Sequence, residues 1–303
     1  SMRTLPPAGF LLDVDGPVAS PETRRVPEAI LSALVALARH GIPVAFNTGR
    51  SAEFMVRNVA EPLRRAGLPA TARFHAVCEK GAVRFSFADL PDGELPDVSG
   101  RAGVPDWVVV DEAMRVPAGL ESRLATLVRN EFSETMFYDQ TKLAMFSAEM
   151  NVGESLQRYQ RHQAQFDERA QALLAEEGLA DRFQLDPTII SSDVEHRSSG
   201  KDLGAARLWD LLGADGELPV DWYTCGDSRT DYAMADWLHN HGARVTHVDA
   251  RPSDGVPDRP YRVLTSRELS AAGFGPADGV HEVTGQALLE RVLNTISGTD
   301  SSS

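Results

Sequence analysis

Phe10-Leu11-Leu12-Asp13-Val14-Asp15-Gly16 is an apolar run that ends in two carboxylates and a glycine. A short run of this kind, entering a polar turn, reads as a buried strand. Residues two apart on a strand project to the same side, so Asp13 and Asp15 can face one ligand. The same plan continues outward. Pro27 to Arg39 carries Ile30, Leu34, Leu37 and Ala38 at helical spacing and stops at Gly41. Ile42 to Phe46 is a second apolar run, ending in Asn47-Thr48-Gly49-Arg50. Ser51 can cap the next helix, which shows Met55, Val59 and Leu63 on one face. Phe74 to Cys78 gives a third strand, Trp222 to Cys225 a fourth that runs into Gly226-Asp227, and Arg244 to Val248 a fifth. Strands alternating with helices predict an α/β fold, a doubly wound parallel sheet with helices on both faces.

The alternation breaks from about Ala88 to His196. A Pro/Gly/Asp-rich stretch leads to a helix with Leu120, Leu124, Leu127 and Val128, then to strand-like segments at Thr135 to Tyr138 and Lys142 to Phe146. A second helix carries Leu156, Tyr159, Phe166, Ala170 and Leu173. Phe183 to Leu185 and Thr188 to Val194 follow as two more strands, turned at Asp186-Pro187. The helix–strand–strand unit appears twice, which predicts a small α+β domain inserted into the larger one. The expected organisation is a core of 1–87 and 197–303 around an insertion of 88–196.

With 303 residues, 42% hydrophobic and 24% charged, the chain has an ordinary globular composition and room for two domains. Its 30 basic and 44 acidic side chains leave a net charge of −14. That balance argues against nucleic acid or an anionic membrane as the partner. No run reaches the length of a membrane span, and the N-terminal residues carry no signal-peptide apolar stretch. Two cysteines, Cys78 and Cys225, build no disulfide framework, so a reducing, cytoplasmic setting is expected. The sequence carries no signal of an oligomeric state.

Four segments belong together: Asp13-Val14-Asp15-Gly16, Asn47-Thr48-Gly49-Arg50, Ser199-Gly200-Lys201-Asp202, and Gly226-Asp227-Ser228-Arg229-Thr230-Asp231. Three fall at predicted carboxyl ends of strands, where open α/β sheets bind ligands, and the other begins a helix. Their carboxylates suit Mg²⁺, which prefers oxygen ligands. A lysine, a threonine and free backbone amides suit a phosphoryl group. Each piece alone is weak, but the conjunction predicts a Mg²⁺-assisted phosphoryl-transfer site with an aspartate nucleophile.

In these residues the chain resembles the haloacid dehalogenase superfamily of phosphohydrolases. Asp13-Val14-Asp15-Gly16 looks like its first motif, Thr48 its second, Lys201 its third, and Gly226-Asp227 with Asp231 its fourth. The insertion between the second and third motifs is similar to the type 2 cap of Cof-type and sugar-phosphate phosphatases. Cys78-Glu79-Lys80-Gly81-Ala82 is similar to a Glu-Asn-Gly-Ala segment of that group. Pro17, Lys80 and Asp202 depart from the usual pattern of threonine, asparagine and glycine. The resemblance implies a Rossmann-like core with a cap that selects the leaving group. It also implies a small phosphorylated metabolite as substrate, with Asp13 as nucleophile and Asp15 as acid and base. Mg²⁺ would be held by Asp13, the Asp15 backbone carbonyl and Asp227, with Asp231 supporting the metal site or orienting Lys201, and phosphate by Thr48, Lys201 and backbone amides near Gly16 and Gly49. A sugar phosphomutase, or a non-catalytic binding module on the same fold, is the alternative. Tyr138, Gln140, Lys142, His196 and Arg197 are candidate cap contacts, and Arg50 serves substrate or a carboxylate.

Overall fold

The run that carries Asp13 forms the central strand of the larger sheet. Strand β1 (Gly9–Leu12) is buried along its whole length, with Phe10 and Leu11 fully shielded from water. A parallel strand covered on both faces needs apolar residues at successive positions, which is why the run does not alternate. In the computed structural model, which describes residues 4–301, the chain forms two compact units, Ser1–Pro96 with Gly200–Ser303 and Asp97–Ser199.

After β1 come helix α1 (Glu28–Arg39), β2 (Val44–Asn47) and α2 (Ala52–Met55). A π-turn at Val56–Ala60 carries α2 into α3 (Glu61–Arg65), and β3 (Phe74–Cys78) and β4 (Val83–Ser86) follow. Asp97–Ser199 supplies α4 (Ala118–Leu127), β5 (Met136–Tyr138), β6 (Phe146–Met150), α5 (Leu156–Glu176), β7 (Phe183–Pro187) and β8 (Ser191–His196). The chain then returns through α6 (Lys201–Asp215), β9 (Asp221–Gly226), α7 (Tyr232–Asn240), β10 (Arg244–Asp249) and β11 (Arg262–Leu264). Helices α8 (Ser266–Ala271) and α9 (Glu282–Ser301) complete it.

Seven strands of the first unit lie in the order β11-β10-β9-β1-β2-β3-β4, parallel throughout except for β4, which runs antiparallel to β3. The chain moves from β1 to one side through β2 and β3, and later to the other side through β9, β10 and β11. That reversal opens a crevice outside the carboxyl ends of β1 and β9. All five predicted core strands are present. One face of the sheet packs Leu208, Leu212, Trp222, Met234 and Leu238 into a common core. Residues 91–96 pack with this unit: Arg64 bonds the carbonyls of Pro91 and Gly93 at 2.7 and 2.8 Å, and Arg57 those of Leu95 and Pro96 at 3.1 and 2.7 Å.

The second unit has its own antiparallel sheet, β5-β6-β8-β7, so its plan is helix–strand–strand twice over. Phe146, Phe183 and Val194 from its strands pack against Leu120 and Leu124 of α4 and Tyr159, Phe166 and Leu174 of α5. One expected strand is displaced: β6 covers Phe146–Met150, not Lys142 to Phe146. The apolar Leu143-Ala144-Met145 is buried as a loop. The Ala144 carbonyl is satisfied there by the Val116 N–H at 2.8 Å, and Arg101 reaches the Met145 carbonyl at 3.3 Å. The turn between β7 and β8 falls at residues 188–190, just beyond Asp186-Pro187. No helix among the described residues is long and apolar enough to cross a membrane.

Candidate active site

Asp13 stands immediately beyond β1, its N–H bonded to the Cys225 carbonyl of β9 at 2.9 Å, so the two strand ends are locked side by side. Lys201, the first residue of α6, reaches into this corner. Its Nζ lies 2.7 Å from Asp13 Oδ1, 2.7 Å from the Asn47 carbonyl and 2.8 Å from Asp231 Oδ1. Asn47 also donates its side-chain Nδ2 to the Lys201 carbonyl at 3.0 Å, so it holds the lysine at both ends. Asp231 is 1% exposed and caps its own turn, accepting the Ser228 N–H through Oδ2 at 3.1 Å. Residues from four separate loops thus converge, as the motif spacing predicts.

Asp227 sits beside them. One carboxylate oxygen each from Asp13, Asp227 and Asp231 lies within 4.8 Å of the others. Gly16 makes room for this: its φ is +104°, and a Cβ there would stand 2.4 Å from Asp227 Oδ2. Its N–H is bonded to the Ala19 carbonyl at 2.9 Å, so what Gly16 brings to the site is the absence of a side chain. The Asp15 carboxylate points elsewhere. Arg50 holds both its oxygens, Nε to Oδ2 at 2.8 Å and Nη2 to Oδ1 at 2.9 Å, and the Asp15 side chain is 37% exposed.

The electrostatics of the corner are lopsided. Burial by itself would lower the Lys201 pKa, but Asp13 and Asp231 overcome it and hold the ammonium above its ordinary value. Burial and the Asp231 charge push Asp13 well above the usual carboxylate range, against the downward pull of Lys201. Asp227 is raised by burial and Asp231 as well, with His281 pulling it down. One ammonium does not neutralise three acids. The donor set fits a hard divalent cation: clustered carboxylate oxygens whose mutual repulsion a cation would relieve.

Thr48 and Gly49 form the next loop. The Thr48 N–H bonds the Val77 carbonyl at 3.0 Å, and its hydroxyl accepts the Arg50 N–H at 3.0 Å. Among the described residues the hydroxyl donates to nothing. The turn at Glu79 and Lys80 supports this loop with two successive residues at positive φ, +50° and +59°. Its amides bond the Arg50 and Thr48 carbonyls at 2.9 and 3.1 Å, and the Lys80 carbonyl accepts the Gly200 N–H at 2.9 Å, next to Lys201.

Within the second unit, Tyr138 donates to Glu121 at 2.6 Å, and Arg197 bonds the Ala180 carbonyl at 2.7 and 2.9 Å. His196 faces the Ser198 hydroxyl at 2.7 Å. Lys142 is buried and Gln140 exposed. Sequence reasoning gave no role to Asn47 or to His281, whose Nδ1 is 3.0 Å from Asp227 Oδ2. Asn47 carried a signal, its place beside Thr48 at a strand end; His281 carried none.

No family model matches the chain, and no curated protein matches it by sequence. Solved structures do match, and the fold they define is that of the haloacid dehalogenase-like hydrolases. One is a haloacid dehalogenase-like hydrolase from Bacteroides thetaiotaomicron, with 11% identity and a TM-score of 0.58 over 94% of this chain and 99% of that one. Another is trehalose-6-phosphate phosphatase from Aspergillus fumigatus, with 16% identity and a TM-score of 0.51 over 95% of this chain and 93% of that one. At these identities the likeness is one of fold, a Rossmann-like core with an inserted α+β domain.

Proposed function

We propose that this chain is a Mg²⁺-dependent phosphohydrolase that cleaves a small phosphomonoester of the sugar-phosphate class through an aspartyl-phosphate on Asp13. The observation that carries the reading is Lys201, whose ammonium bridges Asp13 and Asp231 beside Asp227 at the sheet's switch point. The sugar-phosphate class is supported by the fold shared with the Aspergillus fumigatus trehalose-6-phosphate phosphatase over both units. Hydrolysis is favoured over phosphomutation, which needs arginines for a second phosphate: Arg123 pairs with Glu176 and Glu177, and Arg158 with Glu134 and Glu154.

Asp13, Asp227 and Asp231 would hold the cation, with the Asp15 backbone carbonyl. When bound, Mg²⁺ supplies positive charge against the phosphate dianion and favours the ionised form of the acids. Asp13 attacks phosphorus in line while Lys201 offsets the negative charge that gathers on the transferring group. Asp15 gives a proton to the leaving oxygen and later takes one from the water that cleaves the acyl phosphate. Both its oxygens are engaged by Arg50, so Asp15 must exchange that guanidinium for the leaving oxygen during turnover. Thr48, with backbone amides at Gly49, binds phosphate oxygens.

The test is phosphate release from a panel of phosphomonoesters with Mg²⁺, with a chelator, and with Asp13→Asn. Hydrolysis that needs Mg²⁺ and falls by roughly 10⁴-fold in the variant is expected for a lost nucleophile. Turnover undiminished by Asp13→Asn would remove the aspartyl-phosphate route.

A further inference from the structure

The segment leading into α9 reaches the site from outside the four motifs. His281 has φ +56°, a left-handed conformation that a histidine adopts at some cost in energy. Several bonds hold it there. Its N–H donates to the Ala250 carbonyl at 2.9 Å, and its carbonyl accepts the Gly285 N–H at 3.0 Å. The Ser266 hydroxyl ties both flanks, to the Gly279 carbonyl at 2.7 Å and the Thr284 hydroxyl at 2.6 Å. At the next turn, a Cβ on Gly285 would stand 1.7 Å from the Pro17 carbonyl oxygen, so α9 backs directly onto the loop after Asp15. This braced segment presents the His281 Nδ1 to Asp227 Oδ2 at 3.0 Å. A Cβ at Gly16 would crowd that same oxygen, whereas Oδ1 of Asp227 accepts no hydrogen bond from the described residues.

We infer that His281 is a positioning residue for the metal centre: its Nδ1–H holds Oδ2 of Asp227, so that Oδ1 is the oxygen offered to the cation shared with Asp13 and Asp231. The inference rests on the metal site proposed above. A carboxylate free to rotate must be ordered when the cation arrives, and one already held through its other oxygen has less freedom to lose. Either protonation state of the ring that carries a proton on Nδ1 serves, so the device needs no titration.

The experiment is calorimetric titration of Mg²⁺ into the full chain as parent, His281→Gly and His281→Asn. Both substitutions tolerate positive φ, but only asparagine keeps an N–H donor near the place of Nδ1. The glycine variant is expected to bind Mg²⁺ about tenfold more weakly. The asparagine variant should stay within about threefold of the parent, and KM for a phosphomonoester at saturating Mg²⁺ should be unchanged in both. Should the glycine variant fail to fold, His281→Leu takes its place, with bulk but no donor. Affinity undiminished without the donor, or equally poor with asparagine, would overturn the assignment. A parent that takes up no Mg²⁺ would instead overturn the metal-site reading beneath it.

Discussion

At the amino end of β3, the buried His75 ring bonds Ser86 through Nδ1 at 2.7 Å and Asp215, the last residue of α6, through Nε2 at 2.5 Å. At the carboxyl ends of β1 and β9, Lys201 bridges two of three clustered carboxylates and His281 meets the third. The first group is closed: each ring nitrogen has one partner, and one acid faces one imidazole. The second is open, with more negative charge than its own residues offset. Burying like charges costs stability, so a sequence that keeps such an excess keeps it for something that arrives from outside. Polar clusters are told apart by whether their groups satisfy one another.

Removing Lys201 tests the open end most severely. Lys201→Met takes away the ammonium between Asp13 and Asp231, and about 3 kcal/mol should be lost in urea unfolding without divalent cations. A neutral outcome would mean that the lysine does not offset the acids at all. A pH series sharpens the contrast with His247 on β10, which is buried, takes its Nδ1 contact from the Thr224 hydroxyl at 2.7 Å and has no partner for Nε2 among the described residues. Burial lowers its pKa to about 4. The unfolded chain takes up a proton near pH 6.5 that the folded ring refuses, so stability present above about pH 6.5 is lost as pH falls toward 4, by up to about 3 kcal/mol. His247→Leu should flatten that limb in urea melts at pH 7 and 4.5; an unchanged slope would place the acid sensitivity elsewhere.

At the closed end, His75→Ala should cost about 2 kcal/mol by stranding Asp215 and Ser86, with kcat/KM unchanged. A loss of activity out of proportion to stability would break the distinction between the two ends. The smallest effect has the opposite sign. Asp227→Asn relieves repulsion with Asp231, so the metal-free protein should gain about 1 kcal/mol while its stabilisation by Mg²⁺ disappears. A destabilised metal-free variant would count against the open reading.

The central strands were legible because strands covered on both faces leave continuous apolar runs. The convergence of Asp13, Lys201, Asp227 and Asp231 was legible because short loops after parallel strands can only emerge at one end of a sheet. Arg50 was readable only as far as two choices, since nothing local says that its guanidinium turns to Asp15. His281 left no trace: it meets Asp227 through a return of the chain after β11, and an isolated histidine has no pattern around it. Strand β6 was misplaced because burial and strand pairing part company at Leu143-Ala144-Met145, which is apolar but bonded as a loop. Strands β4 and β11 leave weaker signals, the first half-buried in alternation and the second three residues long.

The bond from the Gly200 N–H to the Lys80 carbonyl fixes the start of α6 to a turn that precedes the whole of Asp97–Ser199. The same turn grips the Thr48 and Arg50 carbonyls, so the anchor for Lys201 is in place before the chain departs and waits for its return. What lies between departure and return is therefore interchangeable as far as the ammonium is concerned. A longer excursion, a different one or a bare tether would plug into the same socket, leaving the second unit free to diversify while Lys201 stays put.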